Sequence, residues 1–220
     1  MKIKITKNGP YLVSKDIPLN QLIITKGKDE YVYKESKIYI NNKDYKLCRC
    51  GRSKNKPFCD GSHFIHKFDG ECTASKEPIC KRAKTYTGDK YTMEDTENLC
   101  AFARFCHIKN TDSWNLVETA NTTEEEELLK KSVIECPSGR LVLYDKKTKE
   151  VIEPEYKKEI SLLEDPANDC MGPLWVKGNI PIEDQDGNTL EIRNRVTLCR
   201  CGASKNKPYC DSSHLYFYED

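Results

Sequence analysis

Apolar and polar residues alternate from the start of the chain. Lys2-Ile3-Lys4-Ile5-Thr6 alternates, Asn8-Gly9-Pro10 interrupts, and Tyr11-Leu12-Val13 resumes, which predicts two short strands joined by a turn. Further strands are predicted at 21–25, 31–33 and 37–40, with Asn41-Asn42 as a turn. The same pattern returns late in the chain. Gly9-Pro10-Tyr11-Leu12-Val13 followed by Ile17-Pro18-Leu19 parallels Gly172-Pro173-Leu174-Trp175-Val176 followed by Ile180-Pro181-Ile182. The middle reads differently. Asp95 or Thr96 caps a predicted helix running from Glu97 to Cys106. Thr122 or Thr123 caps a second, Glu124 to Glu135, with Glu126–Lys130 and Glu127–Lys131 at supportive spacing. Arg140 to Tyr144 and Val151-Ile152 then predict a hairpin.

Each apolar repeat leads into a segment that carries chemistry. Leu47 to His63 reads LCRCGRSKNKPFCDGSH and Leu198 to His214 reads LCRCGASKNKPYCDSSH, identical at fourteen of seventeen positions. The strands repeat at an offset of 163 and these segments at 151, so the second connection is twelve residues shorter. Both segments have the spacing C-x-C-x8-C-x3-H: Cys48, Cys50, Cys59, His63 and Cys199, Cys201, Cys210, His214. Three thiols and one imidazole at fixed spacing make a ligand set for a thiophilic metal, either a closed zinc site or an iron–sulfur cluster. Asp60 and Asp211 follow a ligand cysteine and are read as binding turn amides, and most of the nearby cations as solvated.

The first copy resembles the CDGSH iron–sulfur (NEET) family, whose pattern C-x-C-x2-[ST]-x3-P-x-C-D-G-[ST]-H it meets at every motif position. The second departs from it only at Ser212, where the family has Gly. The resemblance implies two [2Fe–2S] clusters, each on three Cys and one solvent-facing His, in modules paired about a two-fold axis. Cys136-Pro137-Ser138-Gly139, with Cys100 and Cys106 upstream, resembles divergent single-cluster ferredoxin-like domains. That second resemblance implies a third Fe–S site on Cys100, Cys106 and Cys136, with His107 as a further donor. On an unbroken helix, however, Cys106 points away from Cys100 and His107, so packing thiols are the competing reading. Cys72, Cys80 and Cys170 lack paired spacing and are read as packing or incidental thiols, with a place in a middle site as the alternative for Cys72 and Cys80, which flank a short loop.

Composition narrows the class. Hydrophobic residues make up 37% and charged residues 32%, so the core is thin and metal staples are in keeping. Lys+Arg 36 against Asp+Glu 35 argues against nucleic acid as the partner. No apolar run approaches a membrane span or signal peptide, so the chain is expected to be cytoplasmic and unanchored. No phosphate loop, nucleophile–base pair or paired-carboxylate motif appears, so it is not expected to be an enzyme. The expected fold is α+β, mostly β. Two small CDGSH modules (1–70 and 171–220) flank a helix-containing middle domain (71–170) and pair within one monomeric chain. The expected function is electron transfer or cluster transfer, to a redox partner or an apo-protein acceptor. The alternative is a metal-stapled interaction module without a redox role.

Overall fold

The computed structural model describes residues 1–108 and 110–217. The first copy contributes β1 (Ile3–Ile5), β2 (Tyr11–Val13), β3 (Leu19–Lys26), β4 (Tyr31–Tyr39), β5 (Tyr45–Leu47) and the one-turn helix α1 (Ser62–Ile65). The middle supplies β6 (Lys84–Thr87), β7 (Tyr91–Asp95), a ribbon of β8 (His107–Ile108) and β9 (Thr111–Asp112), helices α2 (Ser113–Thr119) and α3 (Thr123–Ile134), and the hairpin β10 (Leu141–Asp145) and β11 (Val151–Ile152). The second copy adds β12 (Glu159–Asp165), β13 (Cys170–Lys177), β14 (Ile182–Glu183) and β15 (Arg195–Leu198). The fold is mostly β, with the helices in the middle region.

The two copies interlock by exchanging strands. β1, β2 and β5 form an antiparallel sheet, and β12, β13 and β15 form its counterpart. Registers match across the repeat: Tyr11 faces Leu47 as Leu174 faces Leu198. Each sheet then takes a parallel strand from the other copy. β14 lies along β1, and β3 lies along β12. Alternating apolar side chains from both copies form one core, in which Ile3, Ile5, Val13 and Leu47 sit with Ile160, Leu162, Val176 and Leu198. This contact is self-complementary in the manner of a two-fold dimer, but within one chain. β12 pairs with β13 as β1 pairs with β2, so the strand framework of the second copy reaches back to Glu159. Period-two apolar residues at Ile160, Leu162 and the adjacent Leu163, all buried, carried that signal.

The middle sheet, ordered β11-β10-β7-β6, packs Met93, Leu141 and Leu143 against Leu129 and Val133 of α3. Thr122 caps α3 in a complete capping box with Glu125. The expected Glu126–Lys130 and Glu127–Lys131 pairs do not form. Glu126 meets Lys90, Lys131 meets Glu30, and Lys130 meets Glu127 three residues away. Partners from other elements displaced the helix's own at Glu126 and Lys131.

The helix expected over Glu97 to Cys106 is absent. A single 3-10 turn covers Glu97–Leu99, after which Phe102 and Arg104 adopt left-handed φ of 55° and 68°. Ala101, Ala103 and Phe105 are buried while Phe102 is exposed. The burial period is thus two, hidden in sequence because nearly every residue there is apolar. Phe105 stacks on Tyr33 at 4.2 Å, fixing the loop against the first copy's β4.

Candidate metal centres

The two CDGSH loops are built by the same contacts. In the first, Cys48 N donates to Pro57 O (2.8 Å) and Cys59 N to Lys46 O (2.9 Å). In the second, Cys199 N donates to Pro208 O (2.8 Å) and Cys210 N to Thr197 O (2.9 Å). Ser53 Oγ donates to Phe58 O at 2.6 Å, and Ser204 Oγ to Tyr209 O at 2.7 Å. Both loops contain a cis peptide before proline, at Pro57 and Pro208. Asp60 accepts from Lys54 N, Ser62 N and Ser62 Oγ at 2.8, 3.0 and 2.7 Å. Asp211 repeats this with Lys205 N, Ser213 N and Ser213 Oγ at 2.7, 3.1 and 2.6 Å. The Ser62 hydroxyl and these amides hold the Asp60 carboxyl well below its usual range. Both aspartates therefore shape the turn that presents the imidazole.

The ligand side chains fall into pairs. Cys48 and Cys50 sulfurs lie 3.8 Å apart, and Cys199 and Cys201 sulfurs 3.6 Å. Cys59 Sγ and His63 Nδ1 are 3.4 Å apart, as are Cys210 Sγ and His214 Nδ1. Tetrahedral bonds of about 2.3 Å to sulfur and 2.0 Å to nitrogen put two ligands of one metal at roughly these separations. Among the described residues, no group of three or more His, Cys, Asp or Glu is arranged to hold a single metal ion. The four ligand residues of each segment thus fall into one thiol pair and one thiol–imidazole pair. In each CxC pair a hydrogen bond from the partner thiol holds one cysteine, Cys48 and Cys199, below the usual thiol range and pushes the partner up. A pair sharing one proton is close to the thiolate form that metals bind.

Two of the loop cations are structural. Arg49, 2% exposed, donates to Thr6 O at 3.2 Å and to Gly70 O. Arg200, 6% exposed, donates to Leu163 O and Gly172 O at 2.7 and 2.5 Å. Each locks its CxC segment to the hairpin of its own copy. The histidines also differ from the solvent-facing expectation: His63 and His214 are 7% and 6% exposed. Ser212 takes a left-handed φ of 66°, where Gly61 has 93°. Left-handed backbone costs a non-glycine residue about 1–2 kcal/mol. Ser212→Gly should therefore raise the thermal midpoint, whereas an unchanged or lower one would mean the hydroxyl bond to Asp211 O outweighs the backbone strain.

The loops also meet each other. A Cβ on Gly51 would collide with Cys201 O, and one on Gly202 would lie 2.7 Å from Cys50 O. Tyr11 of the first copy donates to Cys199 O of the second at 2.7 Å.

In the middle, Cys100, Cys106 and Cys136 line one small cavity, closed by Phe102, Phe105 and Pro137. Because 100–106 is a loop wrapped by left-handed residues, its two thiols face the same space that the helix would have denied them. Burial, then the neighbouring Cys136 and Cys100, pushes Cys106 up to about 12. Arg140 lines the cavity and pairs through both nitrogens with buried Asp95 at 2.5 and 2.7 Å. His107 lies elsewhere, against Trp114 and in a hollow with Lys26 and Tyr31. It does not join the three thiols. This site adjoins the second CDGSH loop, whose Asn206 side chain donates to Asn98 O at 2.9 Å. Cys72 does not line the middle cavity; it packs on the shared core beside Arg49, and Cys80 is exposed.

These features define a protein of metal centres, with twin thiol–imidazole sites and a third thiol-lined cavity in one body. Comparison with known families names the segments. Residues 8–64 and 171–215 match the iron-binding zinc finger CDGSH type, and residues 86–146 match the divergent 4Fe-4S mono-cluster family. The chain therefore carries two CDGSH segments flanking a divergent mono-cluster segment, and both family matches indicate iron–sulfur binding. Over 28 residues it is 61% identical to the mouse CDGSH iron-sulfur domain-containing protein 3, mitochondrial, and 57% identical to the human one. Those matches span 13% of this chain and 20% and 22% of the relatives, about a fifth of their length. No solved structure matches the chain. Among the described residues, no helix is long and apolar enough to cross a membrane.

Proposed function

We propose that this chain is an electron-transfer protein holding one [2Fe–2S] cluster on Cys48, Cys50, Cys59 and His63 and another on Cys199, Cys201, Cys210 and His214. The observation that carries the reading is the grouping of each segment's four ligand residues two and two, which suits a two-iron centre, where zinc would draw all four around one ion. A third cluster sits on Cys100, Cys106 and Cys136. Bound, these groups supply one-electron redox chemistry; the chain supplies thiolates, two imidazoles and low-dielectric walls. An imidazole in place of a thiolate makes a site less anionic and raises its potential. The contiguity of the middle cavity with the second CDGSH loop favours passing electrons over mere stapling. The partner is a soluble redox protein, or an apo-protein if whole clusters are the cargo, and the chain acts as a monomer without catalysing a reaction of its own. All twelve cysteines are free, which suits a reducing compartment and the cytoplasmic placement we propose.

Anaerobically purified protein should be red-brown, with about two irons and two sulfides per CDGSH segment and more from the middle site. Cys136→Ser should lower the iron count and leave the paired sites intact, and an unchanged count would make the middle thiols packing residues.

The histidine bonds should fail at different pH. Burial first, then nearby Arg200, pushes His214 down to about 4, while burial lowers His63 with Asp60 opposing. Unfolded histidine titrates near ~6.5. A ring whose folded value is depressed contributes stability above the unfolded value and loses it as pH falls through the folded one. Protons should therefore displace iron from His63 before His214 as pH drops from about 6.5 towards 4. Bleaching of His63→Cys and His214→Cys variants against pH checks the order. Equal midpoints for the two remaining histidine sites would contradict it.

A further inference from the structure

We propose that Cys170 is a reserve ligand for the second CDGSH centre, taking the iron when His214 releases it; this rests on the cluster reading above. Cys170 opens β13, directly after Asp169 at a left-handed φ of 48°. It lines a hollow of about 250 Å³ together with Cys201 and His214, one ligand from each pair of the second site. The turn Ser213–Tyr216 that carries His214 packs on β13. Burial pushes the Cys170 thiol up to about 11, so it waits protonated outside the resident ligand set.

The exchange balances without a co-reactant. The iron–imidazole bond to His214 breaks and an iron–sulfur bond to Cys170 forms. The thiol proton leaves to solvent, and no electron moves. The centre ends on four thiolates, with one more negative charge.

The first copy is an internal control. Its shorter hairpin turn, Thr6-Lys7-Asn8-Gly9, also borders the histidine, since a Cβ on Gly9 would lie 3.6 Å from His63 Nε2. That turn carries no thiol. β12 to β13 is six residues longer between equivalent strand positions, and the extra length brings in Cys170.

The test compares His63→Ala, His214→Ala, Cys170→Ser and the double variant His214→Ala with Cys170→Ser. Iron, acid-labile sulfide and iodoacetamide modification of Cys170 are read on the anaerobically purified full chain. His63→Ala should lose about two irons. His214→Ala should keep its iron with Cys170 shielded from alkylation, and the double variant should lose about two irons. Cys170→Ser alone should keep full iron but lose the second cluster to a chelator faster than wild type, a readout that needs no histidine variant to fold. The proposal is overturned if His214→Ala loses as much iron as His63→Ala with Cys170 alkylated, or if Cys170→Ser matches wild type in chelator loss. Wild type without iron and sulfide would instead sink the cluster reading itself.

Discussion

Replacing Arg195 with Met should destabilise the protein by about 3–5 kcal/mol and empty the middle site. Arg195 is 1% exposed and lies in β15 of the second copy, yet nearly all its bonds reach the middle region. Nη1 donates to the carbonyls of Val133, Ile134 and Cys136 at 2.7, 3.0 and 2.8 Å. Nη2 donates to Leu141 O at 3.1 Å and pairs with Glu153, whose other oxygen takes Nε at 2.9 Å. The guanidinium thus closes the carbonyl end of α3, where a cation opposes the helix dipole, and fixes the backbone of Cys136. Met fills the volume but breaks the ion pair, leaving Glu153 with only Asn194 Nδ2, and takes the charged donor from the carbonyls of Val133, Ile134 and Cys136, which keep only Cys136 N, Tyr156 OH and Gly139 N, a cost well above that of a lost neutral bond. For a chain this size the thermal midpoint should fall by about 10 °C. Iron lost should be that of the middle site, with the paired CDGSH sites retained. A midpoint within a degree or two of wild type would show that the clamp is not structural.

Gly202→Ala should disrupt the seam between the two copies. Its φ of 83° already penalises a side chain, and the new Cβ would press on the Cys50 carbonyl, backbone that cannot swing aside. Strain and overpacking together amount to about 2–5 kcal/mol. Gly51→Ala meets Cys201 O in the same way and should behave alike. Gly61→Ala is the control: its φ is 93° but nothing lies within 4 Å of the added carbon, so it bears only the backbone cost. Unfolding midpoints should fall in the order Gly61→Ala, then Gly51→Ala and Gly202→Ala as the larger losses. Equal losses for all three would mean that the loops do not depend on their mutual contact.

Much of this was legible because the chain states it twice. The repeated ligand spacing and the repeated Gly-Pro strand gave both CDGSH segments and their pairing. What repetition could not convey was exchange of strands, since β3 and β14 have the same pattern whichever sheet they join. Features that depart from the repeat were harder to read, and they are where the middle region docks. Arg195 occupies the position held in the first copy by exposed Asp44, which instead accepts Lys15 N at 2.9 Å. A lone cation replacing an acid was a signal, but its partners are remote in sequence. The loop 100–106 was misread because a run of apolar residues satisfies helical and alternating patterns equally. Only contact with Tyr31 and Tyr33 of β4 decides between them, and that decision brings Cys100 and Cys106 to one cavity.

Pulsed electron paramagnetic resonance of the reduced protein, made with nitrogen-15 histidine, tests the central claim most directly. The account predicts two distinct two-iron signals, each coupled to one histidine nitrogen. One coupling should vanish in His63→Cys and the other in His214→Cys. Colourless protein with stoichiometric zinc, or two-iron signals without histidine coupling, would contradict it.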